Sequence, residues 1–214
     1  MTVYSTQTQQ ERSAAIDASV QALSGGGLVV LPTDTVYGLG ADAFNEFAVQ
    51  SLLDAKGRDR QMPPPVLFSK IEVLDALAVD VSAPARKLAE AFWPGGLTII
   101  FRAQPSLAWD LGETRGTVAL RIPDHPVTLQ LLQRTGPLAV SSANKTGQPP
   151  AVSVAQAQEQ LGDAVRVYLD GGQAQLGLPS TIIDATLSEL RVVRFGALSL
   201  ADLQDVVPEI KASS

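Results

Sequence analysis

The sequence predicts an α/β fold, a twisted mixed β-sheet with surrounding helices. Short apolar runs of strand length alternate with segments of helical period along most of the 214 residues, and this interleaving is typical of α/β proteins. The alternation is not strict, because residues 97–120 and 165–193 each have the pattern strand, loop, strand. The sheet is therefore expected to be mixed rather than purely parallel.

Local signals define the first elements. Apolar residues recur at helical spacing from Ala15 to Leu23, and the glycines at 25–27 end this helix. The apolar run 28–31 predicts a buried strand that stops at Pro32. The next helix, at 47–56, is expected to turn Phe47 inward together with Leu52 and Leu53, and to end at Gly57.

The remaining elements follow the same rules. Asp124 and Ser199 are the expected N-caps of two of the helices, Ser199 with Asp202 three residues further on. Strands are predicted at 66–68, 97–101, 117–120, 138–140, 165–169, 181–183 and 190–193, and helices at 84–92, 126–134, 154–161 and 200–206.

Composition limits the class of protein. An apolar content of 45% is enough for a sizeable core, no apolar run approaches the length of a membrane span, and the N-terminus does not read as a secretory signal. The absence of cysteine excludes disulfides and thiolate catalysis. A cytoplasmic protein without a membrane partner is expected. The net charge of −6 argues against a protein that coats nucleic acid, but not against a pocket for one nucleotide.

Five short blocks carry the candidate chemistry. Each places hydroxyl, amide or basic side chains where a strand or helix should break into a loop. In chain order they are Pro32–Gly40 (PTDTVYGLG), Lys56–Arg58 (KGR), Ser141–Asn144 (SSAN), Ser180–Asp184 (STIID) and Arg194–Gly196 (RFG).

In this order the five blocks resemble the YrdC family, the L-threonylcarbamoyl-AMP synthases that begin threonylcarbamoyladenosine synthesis for tRNA. The resemblance implies a YrdC-like fold with a concave nucleotide and substrate cavity. It also implies one domain at 10–206, with terminal tails at 1–9 and 207–214. Some relatives carry a second C-terminal domain, for which this chain is expected to leave no room.

The resemblance also implies a reaction. L-Threonine takes up bicarbonate or CO2, and the resulting carboxylate attacks the α-phosphorus of ATP to give threonylcarbamoyl-AMP and pyrophosphate. Mg²⁺ is expected to accompany ATP. tRNA and the downstream threonylcarbamoyl-transferase proteins remain open as further partners. No enzyme nucleophile is needed, because the protein has only to align two anions and stabilise charge.

Site residues carried over from the family fall into three groups. Lys56 and Arg58 are the expected catalytic cations, and Arg58 is also expected to grip the triphosphate. The expected ATP-binding residues are Arg58, Thr117, Ser142, Asn144 and Arg194, and the expected threonine-binding residues are Thr35, Tyr37, Ser69, Arg121, Val140 and Ser180.

Several of these residues have a second interpretation. Lys56, Arg58 and Arg60, offset by Asp54 and Asp59, also fit a solvated charged turn.

Arg121 ends an apolar strand and requires an anionic partner, which is the threonine carboxylate by resemblance or an acidic residue of the chain itself. His125, the single histidine, is interpreted as a residue of a helix start, and one histidine without cysteine makes a transition-metal site improbable.

The chain departs from the family pattern after Arg58. The segment before Pro65 is about two residues longer than in many relatives, Pro64 takes an asparagine position, and Ser69 stands where a histidine would fall. The sequence is also compatible with two other functions: an RNA-binding module of the same fold, and a related enzyme acting on another small phosphorylated or carbamoylated substrate. The set Thr35, Arg121 and Ser180 favours the synthase.

Overall fold

Twelve strands form one mixed sheet in the computed structural model, which describes residues 1–213. The strands are β1 (Thr2–Ser5), β2 (Val29–Leu31), β3 (Gly38–Asp42), β4 (Val66–Leu67), β5 (Ala78–Val79), β6 (Leu97–Ala103), β7 (Thr117–Arg121), β8 (Leu138–Ser142), β9 (Val167–Asp170), β10 (Thr181–Asp184), β11 (Arg191–Arg194) and β12 (Lys211–Ala212). The helices are α1 (Gln9–Ser24), α2 (Glu46–Lys56), α3 (Leu74–Leu77), α4 (Ala83–Phe92), α5 (Pro126–Thr135), α6 (Val154–Leu161) and α7 (Leu200–Val206), with short 3₁₀ helices at Ile71–Val73 and Gly162–Ala164.

The spatial order of the strands is β1-β9-β2-β3-β8-β4-β7-β6-β10-β11-β12, and β5 pairs with β6 outside this path. Parallel pairs such as β4 with β7 and β6 with β10 alternate with antiparallel pairs such as β3 with β8 and β6 with β7. The predicted mixed sheet is therefore confirmed. Segments far apart in sequence meet at its centre.

Helices cover the sheet through three apolar clusters. The largest packs α4 and α7 against the strands on the β6 side and includes Phe68, Leu88 and Leu203. A second contains the inward faces of α2 and α6, and a third those of α1 and α5. Burial of these faces is the main favourable contribution to the stability of the fold.

Most predicted elements are found within a few residues, and α6 and α7 have the predicted bounds. Gly57 ends α2 in the left-handed conformation, as expected (φ 61°). Ser199 and Asp202 form the expected capping box. Two expectations about helix starts were wrong. Phe47 points outward and is 77% exposed, because Ala48, Val49, Leu52 and Leu53 form the buried face of α2 and Phe47 lies on another face of the helix. Asp124 is not the N-cap of α5, which begins after His125 without a side-chain cap.

The chain ends also differ from expectation. The segments 1–9 and 207–213 were expected to be tails, but β1 pairs with β9 and β12 pairs with β11. Backbone hydrogen bonds thus incorporate both segments into opposite edges of the sheet. Strand β3 was missed because its sequence, GLGAD, lacks the β-branched residues typical of strands.

Among residues 1–213, no helix combines the length and the apolarity that crossing a bilayer requires.

We predict that Gly196→Ala lowers the free energy of unfolding by about 1–3 kcal/mol, the usual cost of overpacking. A Cβ atom at position 196 would lie 2.1 Å from the carbonyl oxygen of Pro179, and backbone cannot move aside cheaply. Gly25→Ala is the matched control, because the nearest atoms would lie 3.5 Å away, at ordinary contact distance. Urea unfolding measures both variants, and equal stabilities would contradict the predicted clash.

Candidate functional site

A cavity of about 300 Å³ lies over the central strands, within the size range of small-molecule sites. Its wall combines Thr33 and residues 35–38, which lead from β2 into β3, with residues of β4, β6, β7, β8, β10 and β11. Because these strands are neighbours in the sheet, sequence blocks separated by more than a hundred residues meet here.

The cavity brings together most of the predicted site residues. Those that line it are Thr35, Tyr37, Arg58, Thr117, Arg121, Val140, Ser142, Ser180 and Arg194. Lys56, Ser69 and Asn144 do not line it. Ser69 is partly buried just beyond β4. The roles assigned to all twelve residues stay predictions.

Lys56 lies behind the cavity wall. Its side chain is almost fully buried, and its Nζ donates to the carbonyl oxygens of Ser142 and Asn144 at 2.5 and 2.6 Å. Burial, and then repulsion from Arg58, lowers the pKa of Lys56 to about 8. Lys56 therefore holds the turn after β8 from the rear.

Asn144 shapes the same turn. Its side-chain amide donates to the carbonyl oxygens of Lys145 and Gln148, both at 2.8 Å. Its Oδ1 is buried and has no hydrogen-bond partner in the described part of the chain. Asn144 therefore orders the turn after β8, while Ser142 lines the cavity.

Three arginines give the cavity its charge. Arg58, Arg121 and Arg194 line it, and none of the described lining residues carries a carboxylate. Burial lowers the pKa of Arg194, and repulsion from Arg58 lowers it further. Burial lowers the pKa of Arg121 as well, and repulsion from Arg194 adds to that shift. Even with Arg121 paired to Asp34, the cavity keeps a net positive charge from Arg58 and Arg194 and is suited to an anion.

Arg121 also has a partner within the chain. Its Nη2 lies 2.6 Å from Oδ1 of Asp34, and both side chains are less than a tenth exposed. Nε donates to the carbonyl oxygen of Gly95 at 2.9 Å, and Nη1 to the Thr35 hydroxyl at 2.8 Å. Burial lowers the pKa of Arg121, and Asp34 opposes that shift. Of the five N–H groups of the guanidinium, two remain for a ligand.

The direction of the hydroxyl hydrogen bonds can be assigned beside Arg121. The Thr33 hydroxyl donates to the carbonyl oxygen of Val36 at 2.6 Å, so its single proton is used. In the 2.9 Å contact between the two hydroxyls, Thr35 must then donate to Thr33. Thr35 accepts from Arg121 and donates to Thr33, which fixes its oxygen at the cavity wall.

A second pair of hydrogen-bonded hydroxyls lies on β6 and just before β10. The hydroxyls of Thr98 and Ser180 are 2.8 Å apart, and Arg194 donates to the carbonyl oxygen of Ser180 at 2.7 Å. Arg194 and Ser180 are thus fixed relative to each other. Thr98 was missed in the sequence analysis, although a threonine inside the apolar run Leu97–Phe101 is a usable signal of a polar contact.

The environments of Tyr37 and His125 define their roles. The Tyr37 hydroxyl donates to the carbonyl oxygen of Gly172 at 2.6 Å and accepts from the Gly171 amide at 3.1 Å, and burial raises its pKa to about 12. Tyr37 therefore acts as a neutral wall of the cavity. His125 does not line it, and burial lowers its pKa.

The sequence analysis missed other contributors as well. Asp34 was overlooked because its role depends on a partner 87 residues away. Leu111 and Thr114 also line the cavity, although they lie between β6 and β7 in a segment without a motif block. Ser141 receives a hydrogen bond from Arg58 at 3.3 Å.

Comparisons with known proteins identify the family. The family model described as "Telomere recombination", which represents Sua5, YciO and YrdC, matches residues 21–196. The chain belongs to the Sua5/YciO/YrdC family. The family resemblance and the YrdC-like fold inferred from the sequence are therefore confirmed.

Relatives within the Sua5/YciO/YrdC family include a Mycobacterium tuberculosis protein provisionally named threonylcarbamoyl-AMP synthase. It is 49% identical over 198 residues, 92% of this chain and 91% of that protein. The threonylcarbamoyl-AMP synthase of Pyrococcus abyssi is 36% identical over 87% of this chain and 55% of its own length.

Solved structures of Sua5 and YciO share the fold. Pyrococcus abyssi Sua5 complexed with L-threonine matches with a TM-score of 0.93 and 33% identity, over 100% of this chain and 63% of Sua5. Escherichia coli YciO matches with a TM-score of 0.81 and 25% identity, over 93% of this chain and 97% of YciO. The chain thus spans less than two thirds of that Sua5 molecule.

We predict that Asp34→Ala lowers the free energy of unfolding by about 3–5 kcal/mol, because it leaves the buried Arg121 charge without its partner. Asp17→Ala is the control. Asp17 pairs with Arg134, but its side chain is 62% exposed, so its removal should cost less than about 1 kcal/mol. Urea unfolding followed by circular dichroism measures both variants. Similar losses in the free energy of unfolding would contradict the larger contribution predicted for the buried pair.

Proposed function

We propose that this protein is an L-threonylcarbamoyladenylate synthase, a nucleotidyltransferase that converts L-threonine, bicarbonate or CO2 and ATP into threonylcarbamoyl-AMP and pyrophosphate. The product enters threonylcarbamoyladenosine formation at position 37 of tRNA. One observation carries the proposal: three arginines and a series of hydroxyls converge on a cavity whose described lining has no carboxylate. The names of the relatives, and the L-threonine bound to Pyrococcus abyssi Sua5, support it.

The reaction balances without an enzyme nucleophile. The neutral threonine amine attacks CO2 and releases one proton to solvent, which gives an N-carboxylate whose oxygen forms a bond to the α-phosphorus. The bond from that phosphorus to the bridging oxygen breaks, and pyrophosphate leaves with the electron pair. Both reactants are anionic, so the protein has to hold them together and to stabilise the leaving charge. Arginines next to oriented hydroxyls supply those functions.

The nucleotide side of the cavity is assigned to Arg58, Thr117, Ser142 and Arg194. A guanidinium grips phosphate oxygens with fixed geometry. Lys56 and Asn144 act here from behind the wall, by holding the turn that presents Ser142. In this assignment Lys56 does not contact substrate. It contributes by positioning the turn and by its positive charge behind the cavity wall.

The threonine side is assigned to Thr35, Tyr37, Arg121, Val140 and Ser180. Arg121 is oriented by Asp34 and Thr35 before any ligand arrives, so binding a carboxylate costs little further ordering. Its two uncommitted N–H groups are the expected donors to the amino-acid carboxylate. Ser69 remains an expected contact only if substrate binding moves the loop before it.

Mg²⁺ is proposed to enter as a complex with ATP. The described residues contain no cluster of three or more His, Cys, Asp or Glu side chains that could hold a metal. The cavity lining offers hydroxyls and arginines instead, so the phosphate oxygens would provide the anionic ligands of the ion.

tRNA and the transferase proteins stay predicted partners, and a cytoplasmic location stays a prediction.

The central test uses labelled bicarbonate with ATP and threonine. We expect label in an AMP-linked product only when all three substrates are present, and none on the denatured protein. Within residues 1–213 no carboxylate, imidazole or amine hydrogen-bonds to the hydroxyl of Ser142, and the Ser180 hydroxyl bonds only to Thr98 and Arg194, so neither serine is activated as a nucleophile. Chromatography of the products and scintillation counting of precipitated protein give both results. AMP formation at full rate without bicarbonate would overturn the mechanism, and RNA binding without product would favour the RNA-binding module.

A second prediction concerns the triphosphate. Arg58→Ala should raise the Michaelis constant for ATP about tenfold to a hundredfold, since a hydrogen bond to a charged group contributes ~1.5–3 kcal/mol. The Michaelis constant for threonine should change little. Arg102→Ala is the control, because Arg102 is exposed on β6 and does not line the cavity. A folded Arg58→Ala enzyme with an unchanged constant for ATP would remove the assignment.

A further inference from the structure

Two loops meet at the rim of the cavity through one ion pair. The first loop is residues 57–65, between α2 and β4, and the second loop is residues 104–116, between β6 and β7. Nη2 of Arg60 lies 2.5 and 2.7 Å from the two carboxylate oxygens of Asp110. Nη1 of Arg60 also donates to Oε1 of Gln50 on α2, at 3.2 Å. Arg60 thus connects a helix and both loops.

The backbones of the loops are joined at the same point. The amide of Glu113 donates to the carbonyl oxygen of Arg60 at 2.7 Å, and the amide of Gly112 donates to Oδ1 of Asp110 at 3.0 Å. Gly112 has a φ of 105°, and a Cβ atom there would lie 2.6 Å from the Arg60 oxygen. Only glycine permits an approach this close without strain.

The neighbours of Asp110 anchor the second loop on either side. Trp109 stacks on Phe44, with ring centroids 5.6 Å apart. Leu111 is 1% exposed and lines the cavity. Of these three consecutive residues, Asp110 is the one whose fixed position depends on a partner in the other loop.

Both loops supply cavity wall. The first contributes Arg58 and the prolines 63–65, and the second contributes Leu111 and Thr114. Arg60 and Asp110 do not line the cavity themselves. We propose that Arg60 is a positioning residue, which holds the two loops together through Asp110 so that Arg58 meets the ATP phosphates. This inference rests on the proposed function and assigns a role to the segment in which the chain departs from its family pattern.

The expected effect is local. Both side chains of the pair are 42% exposed, and ion pairs of that exposure contribute little to global stability. Loss of the pair should instead release the loops, and binding ATP would then require them to be ordered again. Affinity for ATP should fall while the unfolding midpoint stays nearly constant.

The test is a double-mutant cycle with Arg60→Ala, Asp110→Ala and the double variant. Calorimetry gives the dissociation constants for ATP and, separately, for threonine. We expect each single variant to raise the ATP constant about threefold to tenfold, and the double variant to raise it no more than one single variant does. The threonine constant should stay within about twofold. Arg86→Ala is the matched control, since it breaks the Arg86–Asp75 pair of 2.5 Å on α4, outside the cavity lining.

Hydrogen exchange gives a readout that needs no ligand. The Glu113 amide, bonded to the Arg60 carbonyl, should exchange faster in Arg60→Ala and Asp110→Ala than in Arg86→Ala. Unchanged ATP affinity in Arg60→Ala, an equal loss of threonine affinity, or additive single variants would overturn the positioning role. Wild-type protein that binds ATP but forms no labelled product would overturn the proposed function alone.

Discussion

The buried ion pair of Asp34 and Arg121 is the constraint on which the site depends. It joins the segment after β2 to the end of β7, although β3, β8 and β4 lie between those strands in the sheet. A buried charge without its partner is costly, so neither segment can shift alone. Thr35, Gly95 and Asp124 bond to the same pair. Thr35 and Arg121 are therefore held at the cavity wall before a ligand enters.

Charge is distributed unevenly between the surface and the site. The chain carries a net charge of −6, yet the cavity presents three arginines and no carboxylate from the described lining. The charged arginines repel one another across the cavity, and an anionic ligand relieves that repulsion. The net charge of the chain therefore says little about the charge of a ligand. The charge inside the cavity depends on a few locally placed cations.

The sequence predicted every α-helix of residues 1–213 except the short α3, most strands and nine of the residues that line the cavity, because periodicity and the motif blocks are local signals. It failed where position depends on distant partners. Lys56 was expected to face the phosphates, but the folded chain places two carbonyl oxygens of the turn after β8 within its reach. Phe47 was expected to point inward, but it is five and six residues from Leu52 and Leu53, a spacing that places it off their face of the helix. Arg60 looked like part of a solvated turn until the second loop supplied Asp110.

Lys56 has one more property that follows from its two acceptors. An uncharged amine still has two N–H groups, and the buried Nζ contacts two carbonyl oxygens. Release of its proton near a pKa of about 8 would therefore leave both hydrogen bonds in place. The turn that carries Ser142 would keep its shape in mildly alkaline solution, while the positive potential behind it disappeared. At this position charge and geometry can vary independently.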